Sequence, residues 1–109
     1  QESFRCRFPV LPEQLNPFGY MQGGIVSAAI DNTIGPLSML VAPPNVTRKM
    51  EINYLHAISE EVKHIFVTAM FLKQKKKVLY FEAAVTDATD DITYATAKAT
   101  HYIVSSLNG

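Results

Sequence analysis

The chain has 109 residues, 48% of them hydrophobic, and its ten basic and ten acidic side chains cancel. This length predicts a single domain over residues 1–109 with enough apolar side chains for one core. The charge balance argues against nucleic acid as a partner, because phosphate binding normally needs a net basic surface. Cys6 is the only cysteine, so no internal disulfide can form, and a reducing cytoplasm is the simplest compartment.

The first predicted element is a strand over residues 3–10, where apolar and polar side chains alternate. A loop rich in proline, asparagine and glycine follows. The longest apolar run, residues 25–44, then predicts a helix that begins near Gly23 and continues toward Leu40. Because one aspartate and two prolines interrupt this run, we do not expect it to span a membrane.

Pro36 lies inside the predicted helix. It removes the helical hydrogen bond to Asn32 and crowds that carbonyl group, so we expect a kink or break just past Asp31. Asp31 then has a second interpretation, as the N-cap of a short helix after the break, because aspartate is a favoured cap residue.

The rest of the chain predicts four strands, at residues 46–58, 62–73, 78–87 and 92–104. The two middle strands carry apolar residues on both faces, which is typical of strands covered on two sides. Short polar connections favour antiparallel neighbours. The predicted architecture is therefore α+β, with one helix on one face of a sheet that ends in a four-strand meander. The remaining apolar surface predicts a second subunit at the other face or an edge.

The strongest site signal lies where the loop meets the helix. Gly23 and Gly24 stand at a predicted helix start, where free backbone N–H groups attract negative charge, so they form a candidate oxyanion site. Asp31 follows inside the apolar run, where an ionised carboxylate is costly unless it is paired or used in chemistry. Taken alone, the two glycines are equally well explained as a closely packed turn.

The only basic cluster of this neutral chain is formed by Lys75, Lys76 and Lys77, which follow Lys73 closely. Its ordinary interpretation is a solvated hairpin turn. The alternative is a clamp for a small phosphorylated ligand, because ammonium groups bind phosphate oxygens strongly.

Other candidates carry weaker signals. Three histidines lie on separate predicted strands without metal-ligand spacing, so we assign no metal; they are His56, His64 and His101. Four apolar side chains are equally well explained as pocket lining or as ordinary core; they are Phe18, Met21, Met39 and Met50.

A spaced motif opens the predicted helix, and it has the form Asn16-x-x-Gly19-x-x-Gln22-Gly23-Gly24, with Asp31 nine residues after Gln22. With the order strand, loop, helix and four strands, it resembles the hot-dog-fold acyl-CoA thioesterases of the phenylacetate-pathway type. That family usually has histidine where this chain has Gln22. The resemblance covers nearly the whole chain and implies an antiparallel sheet of about five strands wrapped around one long central helix.

The resemblance implies hydrolysis of an acyl-CoA thioester, with no cofactor besides the coenzyme A of the substrate. Asp31 would be the general base or nucleophile, and the Gly23 N–H group would hold the carbonyl oxygen. Asn16 would position the thioester or the water, and Thr47 would assist the water. Gln22 would hydrogen-bond or orient, since an amide cannot shuttle a proton.

The resemblance also bears on partners and on alternatives. Gly24 and the three lysines at 75–77 would contact the acyl-CoA, and a homodimer would be the minimum unit, with a dimer of dimers as a further option. Because Gln22 replaces histidine, the alternative is a catalytically weak acyl-CoA-binding or structural hot-dog module. A hydratase is disfavoured, since the chain has no Asp-x-Asn-x-x-His motif.

Overall fold

Alternating segments form five strands and the long apolar run forms one helix in the computed structural model, which describes residues 2–104. The elements in chain order are β1 (Ser3–Pro9), α1 (Gly23–Val41), β2 (Asn45–Tyr54), β3 (His64–Lys75), β4 (Val78–Thr86) and β5 (Thr93–Ile103). Short 3₁₀ turns lie at Pro12–Gln14 and Glu60–Val62. The predicted α+β class, with five strands and one long helix, is confirmed.

The strands form one antiparallel sheet in the order β1-β3-β4-β5-β2. The predicted four-strand meander is wrong for β2, which pairs with β5 at the sheet edge instead of with β3. Residues 55–63 cross the sheet, and their extended length of about 30 Å easily spans three strand spacings of about 4.8 Å. β2 also ends earlier than predicted, because the N–H groups of Leu55 and His56 turn to the Tyr94 carbonyl.

α1 packs on one face of this sheet and supplies the centre of the core. Ile30, Ile34 and Leu37 are fully buried there, in one cluster with Val67 of β3 and Phe81 of β4. By length and composition α1 could cross a bilayer. In this structure its apolar stripe is instead buried against the sheet, as in the core helix of a globular domain.

The helix continues through Pro36 without a break. The expected interruption past Asp31 is therefore wrong, and so is the interpretation of Asp31 as the N-cap of a second helix. Burial explains the continuity, because Leu37 and Ser38 directly after the proline are buried and would be exposed if the helix ended. The Ser38 hydroxyl also donates to the Gly35 carbonyl at 2.6 Å.

A β-bulge in β2 decides which of its side chains face the helix. After Thr47 the register with β5 shifts by one residue, so that Arg48 is the extra residue. In an unbulged strand Thr47 and Met50 would face opposite sides, because side chains alternate. The bulge turns both toward α1, where Thr47 lies opposite His101 and Met50 lies opposite Ala99.

Candidate functional site

Asn16 organises the loop that precedes the helix. Its Oδ1 accepts hydrogen bonds from the backbone N–H groups of Phe18 and Tyr20, at 2.9 and 3.1 Å. Gly19 closes the turn with φ +86°, a conformation that glycine adopts at little cost. The side-chain N–H groups of Asn16 make no hydrogen bond within residues 2–104, so they remain available to a ligand.

Two exposed glycines form the first turn of α1. Gln22 is the N-cap residue, and its carbonyl accepts the N–H groups of Ile25 and Val26 at 3.0 and 3.2 Å. Within the described chain the N–H groups of Gly23 and Gly24 have no acceptor, as expected at a helix start. The Gln22 side chain is exposed and caps nothing. The helix start therefore offers two N–H donors to an oxygen or an anion.

A cleft of about 390 Å³ opens beside this helix start. Asn16 and Gly23 line it together with three aromatic side chains, which are Tyr20, Tyr54 and Tyr94. An apolar, aromatic cleft with a few polar groups at one end is the usual form of a small-molecule site. Asp31 and Thr47 do not line this cleft.

The apolar candidates divide between core, cleft and surface. Met21 is buried and lines the cleft, and Met50 packs partly buried against the core. Phe18 and Met39 are 83% and 64% exposed, so neither belongs to the core of a single chain.

Asp31 lies midway along α1 and faces β2. Its carboxylate accepts a hydrogen bond of 3.2 Å from the Thr47 hydroxyl, so the fold brings these two predicted site residues together. Both are exposed, and the expected burial of the carboxylate is therefore wrong for a single chain. Behind them lies His101, only 2% exposed, with Nε2 3.3 Å from the Thr47 hydroxyl oxygen.

Asn45 fixes the tautomer of His101. The Asn45 side-chain N–H groups donate to the carbonyls of Pro43 and Ser38, at 2.9 and 3.4 Å. Its Oδ1 therefore faces the ring and accepts a hydrogen bond of 2.7 Å from Nδ1. With the proton held on Nδ1, the neutral ring presents the Nε2 lone pair to Thr47.

His101 is held neutral at pH 7 by its surroundings. Burial lowers the pKa of His101 below its ordinary value of 6.5, and the negative charge of Asp31 offsets part of that effect. The Phe81 ring, with its centroid 4.9 Å from that of His101, covers the imidazole. A sequence signal for His101 did exist, because alternation along β5 places it on the core face with Ala97 and Ala99.

The two halves of the predicted site are separated within one chain. Gly23 and Asp31 lie on the same helix, about 12 Å apart along its axis at 1.5 Å per residue. A reacting carbonyl must lie within about 3.5 Å of its attacking group, with its oxygen hydrogen-bonded at the same time. A single thioester therefore cannot reach both groups of one chain.

The lysine cluster forms the tight hairpin between β3 and β4. Lys75, Lys76 and Lys77 are all exposed, and Lys76 has φ +58°. The Ile103 N–H donates to the Lys77 carbonyl at 2.8 Å. This bond places the turn beside the end of β5 that carries His101, and thus at the same end of the sheet as the carboxylate.

The other two histidines lie apart from Asp31, Thr47 and His101, although His56 lines the cleft at the helix start. His56 and His64 are exposed, and His56 lies in the loop after β2 instead of on the predicted strand. Among residues 2–104 no three His, Cys, Asp or Glu side chains come together as metal ligands.

No protein-family model and no curated protein matches this chain. Its fold, however, matches solved structures. The structure of smu.793 from Streptococcus mutans UA159 bound to acetyl CoA is 19% identical, with TM-score 0.86 over 94% of this chain and 82% of that one. Zebra fish thioesterase superfamily member 2 is 22% identical, with TM-score 0.84 over 94% and 75%.

A third match has the phenylacetate connection that the motif suggested. The phenylacetic acid degradation-related protein from Ralstonia eutropha JMP134 is 20% identical, with TM-score 0.83 over 93% of this chain and 76% of that one. These likenesses agree with the antiparallel sheet and the single long helix across it. The chain therefore has the hot-dog fold, as its motif and element order predicted.

Proposed function

We propose that the protein is an acyl-CoA thioesterase, which hydrolyses a thioester to a free acid and coenzyme A. The observation that carries this proposal is the Asp31 carboxylate held by Thr47, on a helix that begins with free N–H donors. The fold supports it, because thioesterases share this fold and one protein that shares it holds acetyl CoA.

Thioester hydrolysis needs a group that activates water and donors for the developing oxyanion. In the proposed site Asp31 takes a proton from a water held by the Thr47 hydroxyl, and that water attacks the carbonyl. Alternatively Asp31 attacks the carbonyl itself and forms a mixed anhydride as the thiolate leaves, and the water then cleaves the anhydride to the free acid and restores Asp31. The N–H group of Gly23 and the side-chain amide of Asn16 donate to the carbonyl oxygen. The carbon–sulfur bond then breaks and coenzyme A leaves as the thiolate.

His101 acts through Thr47 in this scheme and is a positioning residue. While the ring is neutral, its Nε2 competes with Asp31 for the single Thr47 hydroxyl proton, since the two distances are 3.3 and 3.2 Å. Once the ring is protonated, Nε2–H donates to Thr47 and the hydroxyl turns to Asp31. The proton on His101 thus governs the hydrogen bond to the base.

We place each active site between two subunits of a homodimer. A thioester held by Gly23 of one chain needs Asp31 of another, because the two groups of one chain lie about 12 Å apart. Within residues 2–104 no strand pairs with the outer edge of β2, and that free edge, beside Thr47, can pair with another chain. Two-fold symmetry then creates two equivalent sites.

The remaining assignments follow from composition and position. Lys75, Lys76 and Lys77 are proposed to bind the coenzyme A phosphates, and Gly24 to contact the substrate as a second N–H donor. Gln22 is proposed to orient the loop or the carbonyl. A cytoplasmic location, the lack of nucleic-acid and membrane partners, and pairing of dimers into tetramers stay predictions.

The specific observation that favours a second candidate is Gln22, whose amide cannot carry a proton. That candidate is a binding module with little turnover. A thiol-release assay over short, medium, long and aromatic acyl-CoAs separates the two. We expect multiple turnovers on at least one class, whereas saturable binding of all classes without turnover would establish the module.

Asp31→Asn is expected to lower kcat by at least tenfold, which is about 1.4 kcal/mol of barrier, because the amide keeps the shape but cannot act as a base. Binding of the acyl-CoA, measured by calorimetry, should persist. Asp91→Asn, in the exposed turn before β5, is the matched control. A loss below tenfold would contradict the assigned role.

The pKa of His101, followed by NMR titration, is expected to lie below 6.5 and to fall further in Asp31→Asn, which removes the charge that raises it. The pKa of His101 is lower in the folded chain than in the unfolded chain. The full contribution of the neutral ring to the free energy of unfolding is therefore present above pH 6.5. That contribution is lost as the pH falls toward the folded pKa. In His101→Gln the free energy of unfolding should depend less on pH in this range. A raised pKa in Asp31→Asn would refute the coupling.

Replacing Lys75, Lys76 and Lys77 together with alanine is expected to raise KM for CoA thioesters in low salt, because phosphate attraction is lost. Pantetheine thioesters, which lack the nucleotide phosphates, should show no change, and high salt should remove the difference. Equal effects on both substrates would contradict the assignment of this cluster to the coenzyme A phosphates.

Mixed dimers test the shared site. Asn16→Ala and Asp31→Ala chains are expected to be inactive alone, but their heterodimer concentrates both defects in one site and leaves the other intact. After random exchange about half the dimers are mixed, so recovery should approach roughly a quarter of wild-type activity. Native mass spectrometry confirms mixing. Mixed dimers that remain at the parental activity would place the whole site within one chain.

A further inference from the structure

Tyr54, the last residue of β2, reaches across to the first residue of α1. Its hydroxyl donates to the Gly23 carbonyl at 3.0 Å, and its ring lines the same cleft as Asn16 and Gly23. The phenol is 55% exposed, so burial of the ring does not account for its position. This contact links the edge strand to the helix start that carries the free N–H donors.

The side chains of α1 restrain only part of its glycine-rich start. Donors for an oxyanion are effective when they are already in place, without rearrangement during the reaction. Two successive glycines are the residues with the greatest backbone freedom, and Gln22 provides no side-chain cap that would hold them. Within α1 the Ser27 hydroxyl donates to the Gly24 carbonyl at 3.1 Å. Among the described residues no side chain of the helix bonds to the Gly23 backbone, so a side-chain restraint at Gly23 comes from another element.

We infer that Tyr54 is a positioning residue, whose phenol clamps the Gly23 backbone so that its N–H group is held as an oxyanion donor. The inference rests on the proposed thioesterase function. The hydrogen bond fixes the peptide unit between Gly23 and Gly24 and restricts the ψ rotation at Gly23. It orients the Gly24 N–H directly and the Gly23 N–H through the backbone of that residue. The same bond polarises that amide unit and makes the Gly24 N–H a stronger donor.

Glycine at position 23 leaves room for this contact. A Cβ built on Gly23 would lie 3.3 Å from the Tyr54 hydroxyl oxygen and 3.4 Å from the ring carbon that bears it. The first separation is tight and the second is an ordinary contact. Gly24 has open space at the corresponding point. An alanine at 23 would make the exposed Tyr54 phenol move by a few tenths of an ångström, and glycine allows the hydrogen bond without that shift.

Tyr54→Phe keeps the ring and removes the clamp. We expect kcat to fall about fivefold, the rate equivalent of one neutral hydrogen bond, with KM within twofold. Tyr80→Phe, which removes a hydroxyl that makes no hydrogen bond within residues 2–104, is the matched control and should change neither constant. An unchanged kcat in Tyr54→Phe, or a rise in KM alone, would overturn the inference.

Two measurements do not depend on turnover. Backbone order parameters of the Gly23 and Gly24 amides, from ¹⁵N relaxation, should fall in Tyr54→Phe and stay unchanged in Tyr80→Phe. Gly23→Ala should lower the melting temperature with Tyr54 present and lower it less, or raise it, in Tyr54→Phe. Equal order parameters, or equal effects of Gly23→Ala in both backgrounds, would disprove the clamp. A wild-type protein without turnover would instead refute the proposed function, and these measurements would still decide the clamp.

Discussion

The structure depends on the burial of one helix face against one sheet face. Ile30, Ile34 and Leu37 are fully buried, and at about 25 cal/mol per Å² the removal of such side chains from water is the main stabilising term. This packing holds α1 as one continuous helix and so sets the distance between its start and its middle. Gly23 and its donors lie at one end, and Asp31 lies near the middle beside β2. A rigid helix cannot bring these two groups together, which is why the proposed site takes one group from each of two chains.

The same packing makes room for a polar group at the edge of the core. Thr47 and Asn45 face α1 only because the bulge at Arg48 reverses the alternation that Met50 and Ile52 set. Asn45 then satisfies Nδ1 of His101, and Thr47 reaches Nε2. Within residues 2–104 no buried side-chain nitrogen or oxygen lacks a partner, as a polar network beside a core requires.

Local patterns predicted the elements well, because each is fixed by its own residues. The helix start at Gly23 and the antiparallel pairing of β3 with β4 across a short polar turn follow from alternation and turn chemistry. The pairing of β2 with β5 could not be predicted, since residues 55–63 are long enough to permit several neighbours. The continuity of the helix at Pro36 depends on buried Leu37, and that burial is a property of the assembled core.

The candidate site was predictable to a similar degree. The motif contains Asp31, the family resemblance added Thr47, and the fold joins the two by a hydrogen bond. The sequence did not predict a role for His101, because its contacts are with Thr47 and Asn45, each more than fifty positions away in the chain. Tyr54 was unrecognised for the same reason, since its contact with Gly23 joins elements 31 positions apart. Side chains that act across elements leave little trace in the pattern of any one element.

The chemistry of the leaving group explains how a site with Gln22 can still hydrolyse a thioester. A cysteine thiol has a pKa of about 8.5, so a similar thiolate departs near neutral pH without first being protonated. An alkoxide, which is far more basic, would need a general acid. The demand on the protein therefore falls on activating water and on stabilising the oxyanion, and these are the tasks of Asp31 and Gly23 in the proposed mechanism. Histidine at position 22 would add a proton that this reaction does not require.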